Sequence, residues 1–183
     1  ACQQLYGKAL VVIGDSHGAN LYNTVRVSKK YPFLVGITKG GCRLETAYRS
    51  RCNYSDLTEF IRKHALAIHA LVYHQAGFYL LKGQNGELGS RDLLSSGGPF
   101  QVREVAIKKI IEKLYALAPD VKTILIGPWV EPHIPKLTLY KAALRCDKNA
   151  NINYKPEVVA AFKQLDITLA EEVNGLDSDR LDY

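Results

Sequence analysis

The segment Gly14-Asp15-Ser16-His17-Gly18 is the part of this chain whose residue types and order could do chemistry. It directly follows the apolar run Ala9 to Ile13 and precedes a stretch of helical periodicity. A serine at such a strand-to-helix turn stands where free backbone N–H groups and the positive end of the helix dipole stabilise a developing anion, as an attack on an ester carbonyl requires. The same position also suits a helix N-cap, for which Ser and Asp are preferred. Spacing alone leaves Ser16 as cap or as nucleophile, after a sharp turn that Gly14 allows; Asp15 and His17 flank it as supporting residues of the segment, His17 turning away into the helix.

Other polar residues add to this picture or drop out of it. His64, His69 and His74 are spaced by five, so they share no helical face and read as no metal site. His133 and Trp129 follow the fourth apolar strand, so they face the same sheet end as Ser16 and are candidate cleft residues with His74. An aromatic beside a polar group suits the face of a sugar; the competing reading of His133 is a partly exposed loop residue. Cys42 and Cys52 lie in a polar segment without zinc-type neighbours and read as a local disulfide, or failing that as two free thiols. A disulfide implies an oxidising compartment. Cys2 and Cys146 form a second possible pair on which the sequence is silent, and Asn53-Tyr54-Ser55 fits a glycosylation triplet of the kind that often arises by chance.

The elements that must position these residues alternate strand and helix. The run from Lys8 to Ile13 predicts a strand buried on both faces, and Leu21, Tyr22 and Val25 predict a helix over 17–30. A second strand is expected over 33–38 and stopped by Gly40-Gly41. Asp56 and Glu59 suggest a capping box ahead of the next helical face, followed by a third strand over 68–73. Between residues 82 and 100 the composition shifts to five Gly and three Ser, which predicts a long inserted loop. A helix from Val102 to Pro119, a fourth strand over 121–126 and a last helix opened by Pro156 complete the series. Four strand–helix units predict one domain over 1–183, a three-layer α/β/α sandwich on a parallel, flavodoxin-like sheet with ligands beyond the carboxyl ends of its strands.

Composition narrows the function classes. At 183 residues and 47% hydrophobic the chain can bury a sizeable core, which excludes a disordered tail or coiled coil. The net charge of +6 is spread without a basic run, so nothing invites nucleic acid. No apolar stretch approaches the ~20 residues of a membrane span. With no Met at all and Ala1 at its start, the chain is expected to be a processed or excised piece.

Ile13-Gly14-Asp15-Ser16-His17 resembles the first sequence block of the SGNH, or GDSL, hydrolases. Its GDSH spelling is similar to that of the branch fused to bacterial acyltransferase-3 membrane domains, and Thr38-Lys39-Gly40-Gly41-Cys42 resembles that branch's second block. The resemblance implies a nucleophilic Ser16 whose own N–H is one oxyanion donor, and a second donor at the Gly40-Gly41 segment, Gly41 being preferred. An ordinary turn is the alternative there. The third block departs from the family's Gly-x-Asn-Asp: Tyr73-His74-Gln75 has no Asn, and Gln75 could supply an amide donor from that place, the alternative being that His74 and Gln75 are ordinary loop residues at the strand end. The last block, Asp-x-x-His, has no match, since no Asp here is followed three positions later by His. The expectation is therefore that the base and its orienting carboxylate lie beyond Tyr183 or have been lost, leaving the chain by itself nearly inactive. The implied function is transfer of an acetyl group to, or acetyl-ester hydrolysis on, cell-surface carbohydrate (surface polysaccharide, lipopolysaccharide or peptidoglycan), without a cofactor. The acyl donor would arrive through a membrane acyltransferase domain, and the site would be periplasmic or extracellular. A stand-alone secreted esterase and a non-catalytic glycan-binding module of the same fold are the rival readings.

Overall fold

The computed structural model describes residues 2–46, 52, 54–129, 155–176 and 179–183; His133, Cys146 and Asn53 lie outside them. After a short exposed helix α1 (Cys2–Tyr6), strand β1 (Ala9–Gly14) leads into α2 (Ser16–Ser28) and β2 (Leu34–Thr38). Helix α3 (Tyr54–His64) and β3 (Ile68–His74) follow, then two short strands, β4 (Leu81–Lys82) and β5 (Gln101–Val102), with α4 (Arg91–Ser96) between them. The described chain continues with α5 (Glu104–Leu117), β6 (Thr123–Leu125), α6 (Pro156–Asn174) and β7 (Leu181–Asp182).

Five strands form a parallel sheet in the order β2-β1-β3-β6-β7. All six residues of β1 are buried, as an unbroken apolar run between two helical layers requires. Alternate side chains serve opposite faces. Leu10 and Val12 join Ala70 and Val72 under Leu21, Tyr22 and Val25 of α2. Val11 and Ile13 belong to the larger core, which takes in Leu57 and Ile61 of α3, Ile107, Ile110 and Leu114 of α5, and Phe162, Leu165 and Leu169 of α6. The molecule is thus the α/β/α sandwich that the alternation of periods predicts. No helix among the described residues is long and apolar enough to cross a membrane.

Several boundaries differ from expectation, each for a local reason. The sheet has five strands where the sequence predicts four. Leu181 and Asp182 pair with Thr123 and Ile124, and the Thr123 N–H donates to the Arg180 carbonyl at 2.7 Å, a strand too short to show periodicity. Residues 82–100 are not a structureless loop: β4 pairs antiparallel with β5 at the base, and Ser90 Oγ caps α4 by accepting from Leu93 N at 3.0 Å. Val102, expected to open α5, is taken by that pairing instead. Helix α3 starts at Tyr54, so Asp56 sits in its first turn, where a carboxylate complements the dipole, and forms no capping box with Glu59.

Candidate functional site

Three loops meet at the carboxyl ends of β1, β3 and β2. At the first of these, Gly14 has φ +150° and no room for a side chain: a Cβ there would lie 1.8 Å from the His74 carbonyl oxygen. Its neighbour Asp15 is almost fully buried and is the N-cap of α2. Asp15 Oδ1 accepts from the His17 N–H at 2.8 Å, while Oδ2 accepts from the Ala76 N–H at 3.1 Å across the loop after β3. The cap is therefore Asp15, which removes the capping alternative for Ser16. Ser16 occupies the first helical position and is exposed, with its hydroxyl not spent on capping. Its amide is one of those a helix cannot satisfy internally.

Asp15 holds two loops together, which sets an expected magnitude. Asp15→Ala is expected to lower unfolding free energy by about 2–4 kcal/mol, adding a lost cap to a buried N–H left without an acceptor. Urea denaturation measures this. A loss below ~1 kcal/mol would show that water replaces the carboxylate and that the Ala76 contact is incidental.

The loop after β2 is tied to the same place. The Lys39 N–H donates to the Gly14 carbonyl at 3.1 Å, and the Cys42 N–H closes a turn onto the Lys39 carbonyl at 2.9 Å. Gly41 has φ +73°, the left-handed conformation that favours glycine, whereas a side chain at Gly40 would meet open space. Of the two glycines, Gly41 is thus the one whose backbone the turn requires. A disulfide joins Cys42 to Cys52 with a Cα–Cα distance of 5.5 Å, anchoring the turn; such a loop closure is worth roughly 2–3 kcal/mol in the chain-entropy model. Cys2 is free and exposed.

Beneath the turn, the Leu44 N–H donates to the Tyr73 hydroxyl oxygen at 3.2 Å, and the Lys113 ammonium donates to the Leu44 carbonyl at 2.9 Å. The Tyr73 hydroxyl in turn donates to Gln75 Oε1. Gln75, considered above as a third oxyanion donor, is buried and held in this network beside Glu45. Its side chain supports the loop after β2. Tyr73, Leu44, Lys113 and the Ala76 amide are contributors that sequence reasoning missed. Only Tyr73 carried a signal, as a hydroxyl within an aliphatic strand.

On the other side of the strand, His17 packs with its ring centroid 6.0 Å from His74 and 6.2 Å from Phe78, a packing role inside the fold. His74 is fully buried; its Nδ1 lies 3.3 Å from the Ile126 carbonyl and its ring centroid 4.5 Å from that of Trp129. His74 therefore does not line an open cleft in its own right. Trp129, 43% exposed, presents the surface at that point. Among the described residues no group of three or more His, Cys, Asp or Glu is placed to hold a metal ion. Comparison with models of known protein families and with curated proteins gives no match.

Proposed function

We propose that Ser16 accepts an acetyl group from an ester and passes it to a sugar hydroxyl or to water. One observation carries this reading. Two cross-loop contacts, Lys39 N–H to the Gly14 carbonyl and Ala76 N–H to Asp15, gather the segments after β2 and β3 around the turn that exposes Ser16. In the first half-reaction Ser16 Oγ bonds to the ester carbonyl carbon, its proton passes to a base, and the oxyanion is held by the Ser16 and Gly41 N–H groups at the dipole end of α2. The C–O bond to the leaving alcohol then breaks as that alcohol takes the proton. In the second, a sugar hydroxyl or water repeats the attack on the acetyl-serine and Ser16 regains its proton. The resemblance assigns the base to an Asp-x-x-His block, and no described histidine is given that role here.

The same reading places the protein's work in an oxidising compartment, as the extracytoplasmic part of a membrane-linked O-acyltransferase. The Cys42–Cys52 disulfide supports the compartment. The test is capture of the intermediate. The protein is mixed with p-nitrophenyl acetate and imidazole, the latter standing in for whichever base the native protein uses, quenched in acid and mapped by mass spectrometry. Acetyl on Ser16 is expected; acetyl only on lysines would remove Ser16 from the chemistry.

A further inference from the structure

A cleft of about 740 Å³ opens between the start of α5 and the middle of α6, a size suited to a small ligand, and neither Ser16, Gly41 nor Trp129 lines it. Glu45 forms part of its wall although its side chain is only 3% exposed. Burial drives the Glu45 carboxyl above the ordinary range, with its own backbone, Arg43, Arg103 and Gln75 pulling it partly back. Arg43 pairs with Glu45 at 3.3 Å and stacks 3.7 Å over the Tyr79 ring, and Arg103 Nη1 donates to the Tyr79 carbonyl at 2.6 Å. Arg103, which lines the cleft, is thereby fixed before any ligand arrives.

The lining combines that guanidinium with Lys82 and Lys109, against Glu104 and a Glu45 already paired to Arg43. The excess is positive, so the cleft favours an anion. Gln164 adds an amide that can donate and accept, and Phe100 an apolar face. A lining that combines hydrogen-bonding with apolar groups suits a ring that carries hydroxyls on its edge and C–H on its faces, which a bare inorganic anion does not have.

We propose that this cleft binds an acidic sugar unit, a pyranose bearing a carboxylate or a phosphate, with Arg103 and Lys109 on the anion. The proposal goes beyond the acetyl-transfer reading, because Ser16 does not line this cleft, and it stands on sugar binding alone. The probes are trigalacturonate, glucose 6-phosphate, maltotriose and inorganic phosphate, titrated by calorimetry or by amide NMR shifts. At least one acidic sugar should bind at least ~10-fold more tightly than maltotriose and than phosphate, and the two acidic sugars distinguish carboxylate from phosphate recognition. Lys82→Glu with Lys109→Glu should weaken that binding at least ~10-fold, Lys109→Gln alone should weaken it less, and Ser16→Ala should leave it unchanged. Maltotriose or phosphate binding equally well, unaltered affinity in both lysine variants, or no saturation by ~10 mM acidic sugar would each overturn the proposal. Should the cleft fail while acetyl-Ser16 still forms, the acyl chemistry stands without it. Binding without acetyl-Ser16 would instead leave a glycan-binding module.

Discussion

Ser16→Ala is expected to bring imidazole-assisted turnover of p-nitrophenyl acetate down to that of imidazole in buffer, a fall of at least ~100-fold in the protein-dependent rate. The geometry makes this substitution a clean one. Ser16 is exposed at the first helical position, and the helix is capped by Asp15, so removing the hydroxyl takes away no structural hydrogen bond of the cap. Alanine is also a strong helix former, and a surface change of this kind moves stability by only ~0.5 kcal/mol. Loss of rate with an unchanged urea midpoint would therefore be chemical and not a consequence of unfolding. Equal protein-dependent rates in the two proteins would remove Ser16 as the nucleophile and leave the fold without the proposed reaction.

Much of this arrangement is legible in the amino-acid sequence, because it rests on periodicity and on residues with strict backbone demands. The apolar run from Ala9 to Ile13 has one use in an α/β chain, a strand covered on both faces, and it occupies the sheet interior. Gly14 and Gly41 both adopt positive φ, so their glycine identity is already a statement about turns. The pairing of Cys42 with Cys52 follows from a short spacing in a segment with no other thiol partner.

The remainder lies in contacts that leave little or no trace in residue type. Asp15 and Ser16 are both good caps by propensity. What separates them is the Ala76 N–H, which comes from a loop 61 residues away and bonds to Asp15. The contact that fixes Gln75, its Oε1 accepting from the Tyr73 hydroxyl, is equally silent in residue type, and the strand alternation that directs both side chains to one face depends on where β3 ends. The short β7 pairs through only two residues, and no periodicity can be read from two. Residues 82–100 mislead through composition: glycine and serine suggest an open loop, while the short helix and the β4–β5 pair satisfy the backbone there.

Gly14→Ala is expected to be the most damaging single substitution near the site, costing about 3–5 kcal/mol by combining overpacking with a backbone conformation alien to L-residues. The added methyl would sit 1.8 Å from the His74 carbonyl oxygen and 3.0 Å from its carbon, and both are backbone atoms with no rotamer to move. Relief requires β1 and β3 to part at their carboxyl ends, where Gly14 is in register with His74. Parting them would also strain the Asp15 bridge to Ala76 and the Gly14 bond from Lys39, so the three loops around Ser16 should loosen together. Since a domain of this size holds only about 5–15 kcal/mol in total, a loss of this magnitude is visible as a large drop in urea midpoint and in soluble yield. Gly40→Ala is the control. Its Cβ meets nothing within 4 Å, so the change should stay within ~1 kcal/mol. If Gly14→Ala proved as mild as Gly40→Ala, the sheet would have to yield where β1 meets β3, and the rigid turn assumed beneath Ser16 would not exist.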